Sequence, residues 1–128
     1  MLRAWHDDGF GRFVVVRRAD RSLIGRVGLL AWDPATWRNG TRRELGEQAE
    51  IELGWTLERA AWGRGYATEA ARAVRDWALR EVQPRRIISL IHADNSRSAR
   101  VAERLGARSE RDVVTARDVT VQLWSFGR

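Results

Sequence analysis

Hydrophobic and polar positions alternate along much of this chain, and the places where the period changes divide it into elements. Phe13-Val14-Val15-Val16-Arg17 is a short β-branched run, Arg18 to Arg21 reads as a turn, and Leu23 to Leu30 is a second apolar run; the spacing predicts a β-hairpin. From Asp33 to Gln48 the chain is polar and broken by Pro34, Asn39-Gly40 and Gly46, which predicts a long connection, either a functional flap or a locally disordered segment. In Glu50 to Leu57 the residues Ile51, Leu53, Trp55 and Leu57 alternate with smaller or polar ones, as in a half-buried strand. Past Gly65 the period lengthens. Ala67, Ala70, Ala71, Val74, Trp77, Ala78 and Val82 fall on one side of an amphipathic helix that Pro84 ends. Ile87 to Ile91 predicts another strand, and Asp94 or Asn95 offers the N-cap of a helix carrying Ser98, Val101, Ala102 and Leu105 on one face, with Gly106 at its C-terminal cap. Val113-Val114, a turn at Ala116-Arg117-Asp118, and Val119 to Trp124 predict a closing hairpin.

The order strand, strand, strand, helix, strand, helix, strand, strand makes this an α/β chain. Its central strand-helix-strand unit implies one parallel pair inside a mostly antiparallel sheet. A length of 128 residues suits a single domain, residues 1–128, able to bury a core of its own. No apolar run approaches the ~20 residues that span a bilayer. Met1 to Asp8 lacks the apolar stretch of a secretory signal, and the chain has no cysteine, so a cytoplasmic location without thiol chemistry is expected. The net charge of +6 raises the question of a nucleic-acid partner, but all 23 basic residues are arginine and they are scattered among 17 acids. That distribution is a compositional bias rather than a binding stripe, and nucleic acid is not expected as a partner.

The segment richest in chemistry joins the strand 50–57 to the helix that starts near Tyr66, through Arg59-Ala60-Ala61-Trp62-Gly63-Arg64-Gly65. Such a turn points the unpaired N–H groups of a helix's first turn at one spot, and the helix dipole adds partial positive charge there. The result is an anion site. Gly63 and Gly65 let backbone approach phosphate oxygens closely, and Arg64 can add a charge-assisted contact. A P-loop would require lysine and then serine or threonine after the second glycine, where Tyr66-Ala67 stands. A dinucleotide fingerprint would require a third glycine where Thr68 stands.

Glu52-Leu53-Gly54-Trp55-Thr56-Leu57 followed by Trp62-Gly63-Arg64-Gly65-Tyr66-Ala67-Thr68-Glu69-Ala70 resembles motif A of the GNAT superfamily of N-acetyltransferases. Asn95-Ser96-Arg97-Ser98-Ala99-Arg100-Val101-Ala102-Glu103-Arg104-Leu105-Gly106-Ala107 is similar to the second signature of the branch that contains the ribosomal-protein N-terminal acetyltransferases. The resemblance implies a GNAT-like mixed sheet, mostly antiparallel, with one splayed parallel strand pair flanked by helices. It implies that acetyl-CoA is the cosubstrate and an amine the acceptor, with no metal. By the same resemblance Trp62, Gly63, Arg64, Gly65, Tyr66 and Ala67 surround the pyrophosphate, Leu57 and its neighbours pair with the pantetheine arm as an added strand would, and the Asn95 amide contacts the cofactor.

An incoming alkylammonium must lose a proton before it attacks, so a base or a water chain is needed near the thioester, and Glu52 and Glu50 on the strand and His92 are the candidates for the base. Many superfamily members carry a tyrosine as proton donor at the place of Ala102; the resemblance to the ribosomal-protein branch passes that role to Ser98. Ala60 stands where glutamine or arginine is frequent. Family members usually begin with a strand and two helices that wall the acceptor site, of which Leu2 to Asp8 can supply only the tail. A shortened start of this kind leaves an exposed sheet edge that invites pairing with a second copy, so a homodimer is expected. It also leaves, as the alternative function, a non-catalytic module that binds acyl-CoA or a protein partner.

Overall fold

A computed structural model describes residues 10–126. Its strands are β1 (Arg12–Val16), β2 (Leu23–Trp32), β3 (Asn39–Gly40), β4 (Glu50–Leu57), β5 (Ile87–Ile91), β6 (Ala107–Val114) and β7 (Thr120–Phe126). Its helices are α1 (Arg42–Leu45), α2 (Tyr66–Glu81) and α3 (Ser96–Arg104), with a 3₁₀ turn at Arg59–Ala61. The sheet runs β1-β2-β4-β5-β7-β6, with β3 paired to β2 off that path. Every neighbouring pair is antiparallel except β4 and β5. The expected mixed α/β fold with one parallel pair is therefore the observed one, and β4 and β5 carry the boundaries that the hydrophobic period predicts.

Alternation places Val27, Leu29 and Ala31 of β2 and Ile51 and Leu53 of β4 on one face of the sheet, where α2 covers them with Ala71, Val74 and Ala78. The small alanines let helix and sheet approach closely. On the opposite face a second cluster joins Ile88, Val113 and Leu123 to Trp37. Trp37 comes from the 33–48 connection, which is ordered. Its order comes from the Thr41/Glu44 capping box on α1, the pairing of β3 with β2, and burial of Trp37, which is 7% exposed. β6 also begins earlier than the apolar pattern suggests, at Ala107. It is an edge strand whose residues 108–112 are all exposed, so they have no apolar face to reveal them.

The parallel pair is short. Register is kept only at Ile51↔Ile87 and Glu52↔Ile88. Its base is locked by Glu50, a carboxylate only 4% exposed, which accepts from Arg86 Nε at 3.1 Å and, more closely, from Arg86 Nη2, with Arg85 Nη2 at 3.6 Å. Removing one partner of a buried pair strands the other charge in a poorly solvated place. Arg86→Met is expected to destabilise the protein by about 3 kcal/mol in urea unfolding, most of which reflects the stranded carboxylate. A loss below about 0.5 kcal/mol, the range of ordinary surface substitutions, would show that this pair does not hold the strands together.

Candidate active site

Beyond Glu52 and Ile88 the two strands separate, and three hydrogen bonds mark the fork. The phase of the ladder follows from Glu58 N–H, which donates to the Ile24 carbonyl at 2.8 Å. Because antiparallel bonds alternate along a strand, Glu52, Gly54 and Thr56 exchange their backbone bonds with β2, while Leu53, Trp55 and Leu57 turn theirs toward β5. The next parallel rung would carry Leu90 N–H to the Leu53 carbonyl. Instead the Ser89 hydroxyl donates to the Leu53 carbonyl at 2.5 Å, and Leu90 N–H goes to Glu52 Oε2 at 3.1 Å. Side chains thus replace backbone at the point of divergence, which leaves the backbone groups of Trp55 and the N–H of Leu57 facing a gap. The Leu57 carbonyl is already taken by the Trp62 indole N–H at 3.0 Å.

The gap joins two cavities on opposite faces of the sheet. One, of about 410 Å³, lies toward α2 and α3 and is lined by Leu57, Trp62, Gly63, Gly65, Tyr66 and Ala67, together with Arg97, Arg100 and Arg104 of α3. The other, of about 300 Å³, opens on the far face beside Arg12, Arg26, Gly28, Glu52, Gly54 and His92. Trp55, Thr56, Asn95 and Ser98 line both. The sequence candidates therefore converge on one region, with two exceptions. Glu50 lines neither cavity, its carboxylate being held by Arg86 at the base of the strand pair. Arg64 is exposed on the loop and is not among the cavity-lining residues. No residue of the 33–48 connection lines either cavity.

Each wall has a local cause. Gly63 and Gly65 adopt φ of +76° and +79°, a region that costs residues with a Cβ, and an added Cβ at either would meet nothing within 4 Å. The backbone is therefore bent for approach, with open space above it. Gly65 is the N-cap of α2 and supplies no side-chain hydrogen bond to the first turn. Among the described residues, two buried polar atoms beside this cavity lack a partner, Trp55 Nε1 and Thr68 Oγ1. Across the cavity the Arg97 guanidinium lies 3.2 Å from the centre of the Trp62 ring. Asn95 caps α3, its Oδ1 accepting from Ser98 N–H at 3.1 Å, so its amide NH₂ remains the group able to face a ligand. Open helix amides, positive-φ glycines and three arginines fit a phosphorylated ligand, and the sequence had disclosed only the first two.

Glu52 is the acid of the far cavity. Its Oε1 accepts from the Trp32 indole N–H at 2.8 Å, and its Oε2 holds Leu90. Withdrawal from solvent pushes its pKa up to about 7, although both hydrogen bonds and the nearby Arg12 guanidinium oppose the rise. His92 is exposed, and its Nδ1 accepts from Asp94 N–H at 3.2 Å, a strand-end arrangement. Trp32, Trp55, Arg26 and the arginines of α3 were not singled out by sequence. Only the spacing 97, 100, 104 could have indicated that the last group shares a helix face.

The family model described as an acetyltransferase (GNAT) domain matches residues 1–108. The chain belongs to the GNAT acetyltransferase family. An Agrobacterium tumefaciens acetyltransferase superposes with a TM-score of 0.76 at 28% identity, over 99% of this chain and 66% of that one. A ribosomal-protein-S5-alanine acetyltransferase from Vibrio fischeri shares the fold, with a TM-score of 0.70 at 22% identity over 97% and 65% of the two chains. The Bacillus subtilis protein named as an uncharacterized N-acetyltransferase, YnaD, is 29% identical over 80% of this chain and 53% of its own length. This GNAT chain spans 37% of the length of a Bacillus subtilis relative named YkkB, 53% of YnaD and 60% of a Bacillus licheniformis relative named p20. The helix tail expected from Leu2 to Asp8 lies outside the described residues.

The raised pKa of Glu52 has a consequence for stability. The unfolded chain releases this proton near the ordinary value of 4.5 and the folded chain only near 7, so between those values the folded state binds more protons. The contribution is full below about pH 4.5 and is lost as pH rises to about 7. Thermal melts from pH 4.5 to 8 should show a decline that Glu52→Gln flattens. Parallel pH profiles for the two proteins would show that burial does not hold this carboxyl up.

Proposed function

We propose that this GNAT chain is an acetyl-CoA-dependent N-acetyltransferase acting on a primary amine, a protein or peptide N-terminus or a small amine. The reading rests on one observation above all: a fork between β4 and β5 that opens onto a phosphate-suited cavity on one face and a carboxyl-bearing cleft on the other. Two reactants can enter from opposite sides and meet where the strands part. The non-catalytic alternative has less support, because a module that only bound acyl-CoA would not require a second cleft with a poised carboxyl on the far side of the gap.

Gly63, Gly65, Tyr66 and Ala67 would hold the pyrophosphate through the open amides of the α2 N-terminus, with Trp62 alongside and Arg64 contributing charge from the rim. Arg97, Arg100 and Arg104 surround the remaining phosphate charge. Trp55 and the Leu57 N–H offer the strand edge to which the pantetheine amides pair, and the Asn95 amide adds a contact. Acetyl-CoA supplies a thioester carbonyl as the electrophile. A β4 N–H facing the gap stabilises negative charge developing on its oxygen.

Glu52 takes the proton from the incoming ammonium, since a carboxyl titrating near 7 is a competent base at neutral pH. Its Trp32 and Leu90 hydrogen bonds fix the carboxylate while leaving lone pairs for the amine. Ser98, reached from both sides of the gap, returns a proton to the departing thiolate. His92 at the cleft's rim is the second candidate for receiving the amine's proton.

Acetyl-CoA should raise the melting temperature, and Gly65→Glu, which sets a carboxylate at the helix N-terminus, should abolish the shift while the unliganded protein still melts cooperatively. Glu52→Gln should lower kcat about 100-fold or more with acetyl-CoA affinity retained. For the native enzyme the rate should climb as pH rises through about 7, where Glu52 ionises. No thermal shift with acetyl-CoA would remove the reading, and turnover indifferent to Glu52→Gln would remove Glu52 as its base.

A further inference from the structure

The cavity toward α2 and α3 has a wall rich in hydrogen-bond donors. Among the residues that line it there is no aspartate or glutamate, while Arg97, Arg100, Arg104 and the Asn95 amide all donate. Two more donors are built into its inner surface, the Trp55 indole N–H and the Thr68 hydroxyl, and both are buried without a partner. Buried polar groups are paired as a rule, and leaving one unpaired costs folding stability. Other indoles of this chain obey that rule: Trp32 donates to Glu52, and Trp62 to the Leu57 carbonyl.

Each unpaired donor has a local cause. Thr68 opens the stripe Thr68, Ala71, Val74 and Ala78 that α2 buries, so helical periodicity turns its side chain, in a residue only 9% exposed, toward the sheet. A threonine inside a helix can return its hydroxyl to the carbonyl four residues back. For Thr68 that residue is Arg64, which lies ahead of the helix between Gly63 and Gly65, both at positive φ, and the bond is not formed. Trp55 follows Ile51 and Leu53 on the helix-facing side of β4 and packs against the buried core, which holds its ring. An indole N–H only donates, so nothing but an acceptor satisfies it. Trp124 Nε1 is also buried and unpaired, but Trp124 lines neither cavity.

Resting on the acetyltransferase reading above, we infer that Trp55 and Thr68 recognise the pantetheine arm, their indole N–H and hydroxyl donating to its uncharged oxygens between pyrophosphate and thioester. The arm offers amide carbonyls and a hydroxyl over that stretch. The pyrophosphate has its own donors in the open amides at the end of α2, whereas the Thr68 hydroxyl faces inward from the helix side. The two donors therefore cost the free protein stability and are satisfied only in the complex. Deleting one should act with opposite sign on folding and on binding.

Thr68→Val keeps the shape of the side chain and removes the hydroxyl. The free protein should melt no lower than the native one, while acetyl-CoA should bind about 5- to 10-fold more weakly by calorimetry. Thr68→Ser should restore the affinity. As a probe that keeps the pyrophosphate but lacks the arm, 3′-phospho-ADP should bind native protein and Thr68→Val alike. Trp55 is read directly from its indole signal in proton–nitrogen correlation spectra, identified by sequential assignment or by its loss in Trp55→Phe. Acetyl-CoA should move that signal downfield and slow its exchange with solvent, 3′-phospho-ADP should not, and the Trp124 signal should respond to neither. A lower melting temperature for Thr68→Val with acetyl-CoA affinity unchanged would show that the hydroxyl serves the fold. An equal loss of affinity for 3′-phospho-ADP would assign it to the phosphates, and a Trp55 signal indifferent to acetyl-CoA would remove the indole. Each of these results overturns the inference while leaving the acetyltransferase reading in place. Failure of the native protein to bind acetyl-CoA instead overturns that reading.

Discussion

The parting of β4 from β5 is the constraint on which the rest of this structure depends. A parallel pair that stayed in register would bury its backbone groups in a continuous ladder and leave no passage between the faces of the sheet. Here the pair is locked at one end by Glu50 and Arg86 and forced open at the other. The opening is not left unsatisfied. Ser89 answers the Leu53 carbonyl and Glu52 answers the Leu90 amide, so the polar groups exposed by the break are paired by side chains. Backbone that is free for a ligand begins only one step further on, at Trp55.

That arrangement gives Glu52 two roles that are usually separate. It ends the ladder, and it stands as a titratable group in the cleft that the ending creates. Its burial is what raises its pKa, and its Trp32 and Leu90 hydrogen bonds limit the rise. The neighbouring Gly54 adds space, and Gly63 and Gly65 add a positive-φ backbone with open space beside it at the cavity on the other face. Both families of glycine matter for what they leave out, but for different reasons: Gly63 and Gly65 for a conformation, Gly54 for a volume.

Much of this was legible in the order of residues. Strands 50–57 and 87–91 and the helix after Gly65 show clean changes of period, because each is amphipathic or fully buried against a single partner. The two motifs around Trp62 and Asn95 carry the GNAT family. Other features had no such signal. The partners of Glu52 lie 20 and 38 residues away, so neither its fixation nor its raised pKa can be read from local spacing. The first half of β6 is an exposed edge with arginine, serine and glutamate on both faces, and nothing apolar marks it. The order of the 33–48 connection was written as Thr41-Arg42-Arg43-Glu44, a capping box whose signal was masked by the glycines and asparagine around it.

The most direct measurement of the central claim is residue-resolved amide hydrogen exchange with and without acetyl-CoA. Gly54 and Thr56, bonded toward β2, should be protected in both states. Trp55 and Leu57, facing the gap, should exchange fast in the free protein and slow markedly when acetyl-CoA binds. Trp55 and Leu57 amides already protected in the free protein, or unchanged on binding, would contradict an open fork that receives the thioester arm.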